Sequence, residues 1–137
     1  MWAVFAILSA FFAAATSILA KIGIENVDSN LATGIRTVVI LIITLGIVCL
    51  SGTIQQLPHI TQRSWLFLIL SGVATGLSWL FYFKALQIGD ASKVVPVDKF
   101  SVVISMIMAF VFLHEAVTFK VVLGGALITL GTFVLIL

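Results

Sequence analysis

Five apolar runs, each near the length of a bilayer crossing, constrain this chain more than anything else in it. They cover residues 2–20 (WAVFAILSAFFAAATSILA), 31–51 (LATGIRTVVILIITLGIVCLS), 65–86 (WLFLILSGVATGLSWLFYFKAL), 94–113 (VVPVDKFSVVISMIMAFVFL) and 119–137 (FKVVLGGALITLGTFVLIL). A helix needs about 20 predominantly apolar residues to cross the hydrocarbon core. Strands fit poorly, because no run alternates apolar and polar residues over ~10-residue units. Backbone without water must bond to itself, so helices remain. The expected fold class is an all-α integral membrane protein with five transmembrane helices in a single domain, residues 1–137.

Composition agrees. Charged residues make up 9% of the chain and hydrophobic ones 62%, against about 25% charged in a soluble domain. Too little polar surface exists to cover a soluble globule. The net charge is +2 with no Lys/Arg run, so nucleic acid is not an expected partner. Cys49 is the single cysteine, and no Cys/His cluster suggests a metal. No Ser/His/Asp set, phosphate loop or paired carboxylates within a span is present, so neither an enzyme nor a cofactor is expected. His59 and His114 read as interfacial residues. The first run lacks a positive n-region and reads as a retained helix rather than a cleaved signal.

The connections are short: 21–30, 52–64, 87–93 and 114–118, the second broken by Pro58. Five spans put the termini on opposite sides. Calling the N-terminal side A, its loops carry Arg63 and Lys120. Side B carries Lys21, Lys84 and Lys93, with Arg36 and Lys99 further inside. Two against three is a weak bias for the positive-inside rule. It allows insertion in both orientations, with side B cytoplasmic as the alternative.

Ionisable groups inside spans are costly and are read as functional by default. Arg36 lies early in the second helix, either snorkelling to the headgroups or facing the interior as an anion contact. Asp98 and Lys99 follow Pro96. If Pro96 opens the regular helix, Asp98 sits near the positive end of its dipole; otherwise Asp98 belongs to a site. Milder polar residues recur at helical spacing. Ser71, Thr75, Ser78 and Tyr82 share a face of the third helix, flanked by Trp79 and Phe83. Asp98, Ser101 and Ser105 share one on the fourth, and Thr33, Thr37 and Thr44 one on the second. Small hydroxylated residues serve helix packing, yet bulky aromatics beside hydroxyls suit a cavity for a partly apolar solute. The expected cavity lining is Arg36, Thr37, Ser71, Thr75, Ser78, Trp79, Tyr82, Lys84, Asp98, Lys99, Ser101 and Ser105. Gly72 and Gly76 (GVATG), with Gly124 and Gly131 on the last helix, are expected at dimer or helix contacts.

The stretch from Ala85 to Leu137 resembles the end of an EamA domain of the drug/metabolite transporter superfamily. The marks are Ala85-Leu86-Gln87-Ile88-Gly89 ending one helix, Val95-Pro96 opening the next, Glu115 closing it, and GALITLG from Gly125 to Gly131. Lys21 and Arg36 agree more loosely, and the likeness covers nearly the whole chain. It implies one five-span repeat of a family whose ten-span members pair two inverted repeats. Inverted repeats place a substrate site at their interface. The resemblance therefore implies a small-metabolite or drug transporter working by alternating access as a homodimer, with an antiparallel pair allowed. The implied location is the plasma or inner membrane of a prokaryote. The last-helix glycines also resemble the dimerisation helix of small multidrug resistance proteins, but the first helix lacks their membrane-embedded carboxylate, so proton-coupled cation export is not implied. The alternative is a non-transporting or lipid-carrier flippase subunit that needs a different five-span partner. Asp98 is either a proton-coupling carboxylate or an ion-pair partner for Arg36 or Lys84.

Overall fold

The computed structural model describes all residues, Met1–Leu137. The chain forms α1 (Trp2–Gly23), α2 (Ser29–Leu50), a 3₁₀ turn (Thr53–His59), α3 (Gln62–Ile88), α4 (Ala91–Asp98), α5 (Phe100–Phe112) and α6 (Phe119–Ile136). Five segments are long and apolar enough to cross a membrane, with α4 and α5 together supplying the fourth.

The boundaries have local causes. Asp28 caps α2, its Oδ1 accepting from the N–H groups of Asn30 at 2.9 Å and Leu31 at 3.2 Å. Beyond the end of α2, Gly52 adopts φ +68°, a left-handed conformation that glycine enters without steric cost. Thr61 Oγ1 accepts from the Ser64 N–H at 3.2 Å at the start of α3. The 27 residues of α3 span about 40 Å at 1.5 Å per residue. That exceeds the ~30 Å hydrocarbon core, so α3 tilts or emerges from it.

The fourth span departs from the expectation. Helix begins at Ala91 behind Asp90 rather than at Pro96, so Pro96 is an interior residue of α4. Proline has no N–H to give the carbonyl four residues back, here that of Ser92, and its ring crowds that carbonyl. Three residues on, Lys99 has ψ −10°, and its N–H lies 3.1 Å from Pro96 O and 3.3 Å from Val95 O. This is a local 3₁₀ closure, and it divides one apolar run into two helices.

The chain separates into two compact units, Leu19–Gln87 and Met1–Ile18 with Ile88–Leu137. In the second of these, α6 packs on both α4 and α5. Gly125 is buried there, and a Cβ at this position would lie 3.5 Å from Met106 Sδ. Gly125 therefore faces Met106 across the α5–α6 contact, at a separation where a Cβ would make ordinary van der Waals contact. The neighbouring Gly124, and Gly131, Gly72 and Gly76, have nothing within 4 Å of an added Cβ. In the other unit the core gathers where the end of α1, the start of α2 and the end of α3 meet. It consists of Ala20, Ile24, Ala32, Phe83 and Leu86 with the polar Ser29 and Thr33.

Hydroxyls along the spans mostly bond back to their own helix. Thr33, Thr37, Thr75, Thr129 and Thr132 each donate to the carbonyl four residues earlier, at 2.7 to 2.9 Å. Such bonds let a hydroxyl sit in an apolar setting without an orphan donor.

Candidate functional site

Arg36 stands seven residues past Ser29 on α2, about 10 Å along the helix. Its guanidinium lies across Phe83 of α3, with Cζ 4.3 Å from the ring centroid. The rings of Tyr82 and Trp79 stand edge-on to Phe83 at 5.4 and 6.4 Å. A cation over an aromatic face is stabilised by the ring quadrupole, by about 2 kcal/mol or more where water is excluded. That stacking offsets part of the cost of carrying Arg36 into a span. Neither carboxylate of its own unit, Glu25 or Asp28, forms an ion pair with it. Arg36 Nε is buried without a hydrogen-bond partner, as is Ser29 Oγ.

Long polar side chains tie the helix ends together around this cluster. Lys21 Nζ donates to Leu86 O at 2.6 Å, one of the last carbonyls of α3, where the helix dipole favours a cation. Gln87 Nε2 donates to Val27 O in the α1–α2 turn at 2.8 Å, and its Oε1 accepts from Lys84 Nζ at 3.3 Å. Two cavities lie beside these ties. One, of about 300 Å³, has walls from α1 and α2, including Leu19, Ala20, Gly23, Ile24, Ile35 and Arg36. The other, of about 400 Å³, is lined by Lys21, Ile22, Ile24, Glu25 and Gln87.

In the other unit, Asp98 is the last residue of α4 and Lys99 occupies the break before α5. Asp98 therefore ends α4 instead of following a helix start at Pro96, and it also stands two residues before α5, so the two helix dipoles act on its charge in opposite senses. Its Oδ2 lies 3.8 Å from the Lys99 ammonium. The pair lies about 10 Å from the start of α4. A cavity of about 180 Å³ flanks the break, lined by Val97, Phe100, Thr132, Phe133 and Ile136.

Of the residues expected from sequence, Arg36, Trp79 and Tyr82 come together around Phe83. Lys84 joins the ties at the helix ends, bonding Gln87. Asp98 and Lys99 pair with each other. Thr37, Ser71, Thr75, Ser78, Ser101 and Ser105 are exposed along their helices. Sequence reasoning treats Phe83 as a flank, whereas it is the 1% exposed centre of its cluster. Its spacing of four from Trp79 is the available signal. Gln87 and Gly23 carry none, since their roles depend on a turn folding back.

Five long apolar helices, with an ionisable cluster inside them, define the class: a multi-pass membrane protein. The chain belongs to the EamA-like transporter family, whose profile matches residues 1–137. It is 48% identical over 134 residues to an uncharacterized transporter from the cobO 3′ region of a Sinorhizobium species, covering 98% of this chain and 95% of that protein. No solved structure matches. The protein is a membrane transporter, with the lipid bilayer as its surroundings and a transported solute as its ligand.

Proposed function

We propose that this chain is one half of a secondary transporter for small anionic or zwitterionic metabolites. It works by alternating access as a homodimer, with the two copies inserted in opposite orientations in a prokaryotic plasma membrane. The observation that carries this reading is the placement of polar and small residues. Ser71, Thr75, Ser78, Ser101 and Ser105 are exposed on spans that a lone chain would turn to lipid. Gly72, Gly76, Gly124 and Gly131 have open space above them. A second copy supplies partners for both sets, and a solute path between copies supplies water or ligand for the hydroxyls. The near-balance of Lys and Arg between sides A and B permits the two orientations. Arg36 is the anion contact of the solute path, with Thr37 next to it in sequence and Trp79, Tyr82 and Lys84 next to Phe83 along α3. Asp98 and Lys99, at the break, form the element whose ion pair changes between states.

Topology decides the dimer. Single cysteines placed in the loops, labelled from each side of the membrane, are expected to react from both sides. A cysteine at Gly131 is expected to crosslink between copies. Labelling from one side only defeats the antiparallel arrangement. Uptake into vesicles that requires co-expression of a different five-span protein replaces the homodimer with a heteromer. Asp98→Asn separates coupling from pairing: loss of proton-driven uptake with solute exchange intact assigns the proton to Asp98, and unchanged coupling removes that role.

A further inference from the structure

We propose that Arg36 anchors a small monocarboxylate whose apolar body fills the α1–α2 cavity. This narrows the solute class and rests on the transporter reading above.

The cavity wall is apolar apart from one ionisable residue, Arg36. The guanidinium carbon lies over the Phe83 ring, 4.3 Å from its centroid, so the group is seated against an aromatic surface on the α3 side. Nε is enclosed without an acceptor, which leaves the two terminal nitrogens as the donors free to reach a ligand. Two parallel N–H groups match the two oxygens of a carboxylate, and the match is specific to guanidinium because an ammonium offers no fork. An unpaired cation held in a span is expensive, and an anion bound end-on offsets that cost.

Charge and size narrow the ligand further. Arg36 brings one positive charge to a cavity whose lining holds no lysine, and the lysines of its unit, Lys21 and Lys84, bond Leu86 O and Gln87 Oε1. A phosphate monoester, with about −1.5 to −2 charge at neutral pH, would bring an uncompensated charge into an apolar slot. A volume of about 300 Å³ is at the small end of ligand pockets. It suits a single ring or a short branched chain beside the carboxylate, and is too small for a diacyl lipid. Gly23 lines the slot, and an added Cβ there meets nothing within 4 Å, so a side chain at this position competes with a ligand for the space.

The test is saturable binding of phenylacetate, its neutral analogue phenylacetamide, and phenylphosphate, by titration calorimetry on the full chain in phosphatidylcholine nanodiscs. Empty nanodiscs serve as the blank. Phenylacetate is expected to bind roughly ten- to hundred-fold more tightly than phenylacetamide, the loss that follows removal of a charge-assisted hydrogen-bonded pair. Arg36→Gln abolishes that preference, and Gly23→Leu weakens phenylacetate at least ~ten-fold. Equal affinity for acid and amide, no saturable binding of phenylacetate up to millimolar concentration, or a retained preference in Arg36→Gln overturns the site. Tighter binding of phenylphosphate overturns the carboxylate assignment. The acid–amide comparison uses the unaltered chain, so it stands even where Arg36→Gln does not fold. Uptake of labelled phenylacetate into proteoliposomes is measured separately. Acid-selective binding without uptake keeps the site and defeats the transport reading, whereas uptake without acid preference defeats the site alone.

Discussion

The two compact units are built by opposite means. In one, α6 lies against α4 and α5, and Gly125 faces Met106 across the contact. In the other, α2 and α3 do not approach as closely along their lengths. Reaching side chains join the elements near one end: Arg36 of α2 over Phe83 of α3, Lys21 of α1 to Leu86 O, and Gln87 of α3 to Val27 O in the α1–α2 turn. Beyond that end the same helices turn apolar residues outward, with Ile42 65% and Leu68 61% exposed. Close backbone contact fills space with dispersion attraction and leaves small voids. Long polar ties hold helices at a distance and leave cavities between the ties. Cavities of about 300 and 400 Å³ lie beside these ties, and one of about 180 Å³ flanks the break between α4 and α5 in the other unit.

The largest effect expected from this contrast is at Phe83. Phe83→Ala removes a side chain that is 1% exposed and takes away the surface on which Arg36 rests. Large-to-small changes of this kind cost about 3–5 kcal/mol. Thermal unfolding in detergent is expected to show a much larger loss for Phe83→Ala than for Phe81→Ala, where the ring is 74% exposed. Similar losses would erase the distinction between the tied end and the outward face.

An intermediate effect belongs to the glycine contact. Gly125→Leu overpacks against Met106 and costs about 1–3 kcal/mol. Gly124→Leu, with nothing within 4 Å of an added Cβ, is expected to leave the monomer's thermal stability nearly unchanged. If Gly124→Leu were the more damaging of the two, α6 would be packed by its other face. The smallest effect is at Lys21. Lys21→Met keeps the aliphatic stem and removes the donor to Leu86 O, for a loss of about 1.5 kcal/mol. Faster amide exchange at the end of α3, with α6 unaffected, is the expected sign. Equal exchange in wild type and variant would show that the other ties suffice.

How much of this is legible in advance follows from the range of each interaction. The spans and their polar stripes are readable because apolar length and helical period are local properties. The division of the fourth span is only half readable. Pro96 signals an irregularity, but whether it opens a helix or interrupts one depends on whether Ala91–Val95 are already helical. Gly125 is hidden between two more regular candidates, Gly124 and Gly131. One residue of difference rotates a position by about 100° around the helix, so only the packed partner identifies the contact face. The Arg36–Phe83 stack joins residues of two helices separated by a loop, and its distance has no trace in either segment alone.

Apolar length and scarce charge are enough to put the chain in a bilayer, to make it cross as helices, and to keep most of its charges in the connections and near the helix ends. Those outcomes follow from the cost of unbonded backbone and of charge in hydrocarbon, which any arrangement of the helices must meet. Which charges are stacked, tied or left open is settled by packing between helices. Lys21 and Lys84 are bonded at helix ends, Asp98 and Lys99 answer each other at the break, and Arg36 rests on Phe83 with its Nε unpaired. A buried polar group is governed by the atoms a few ångströms from it, and here those atoms come mostly from another helix.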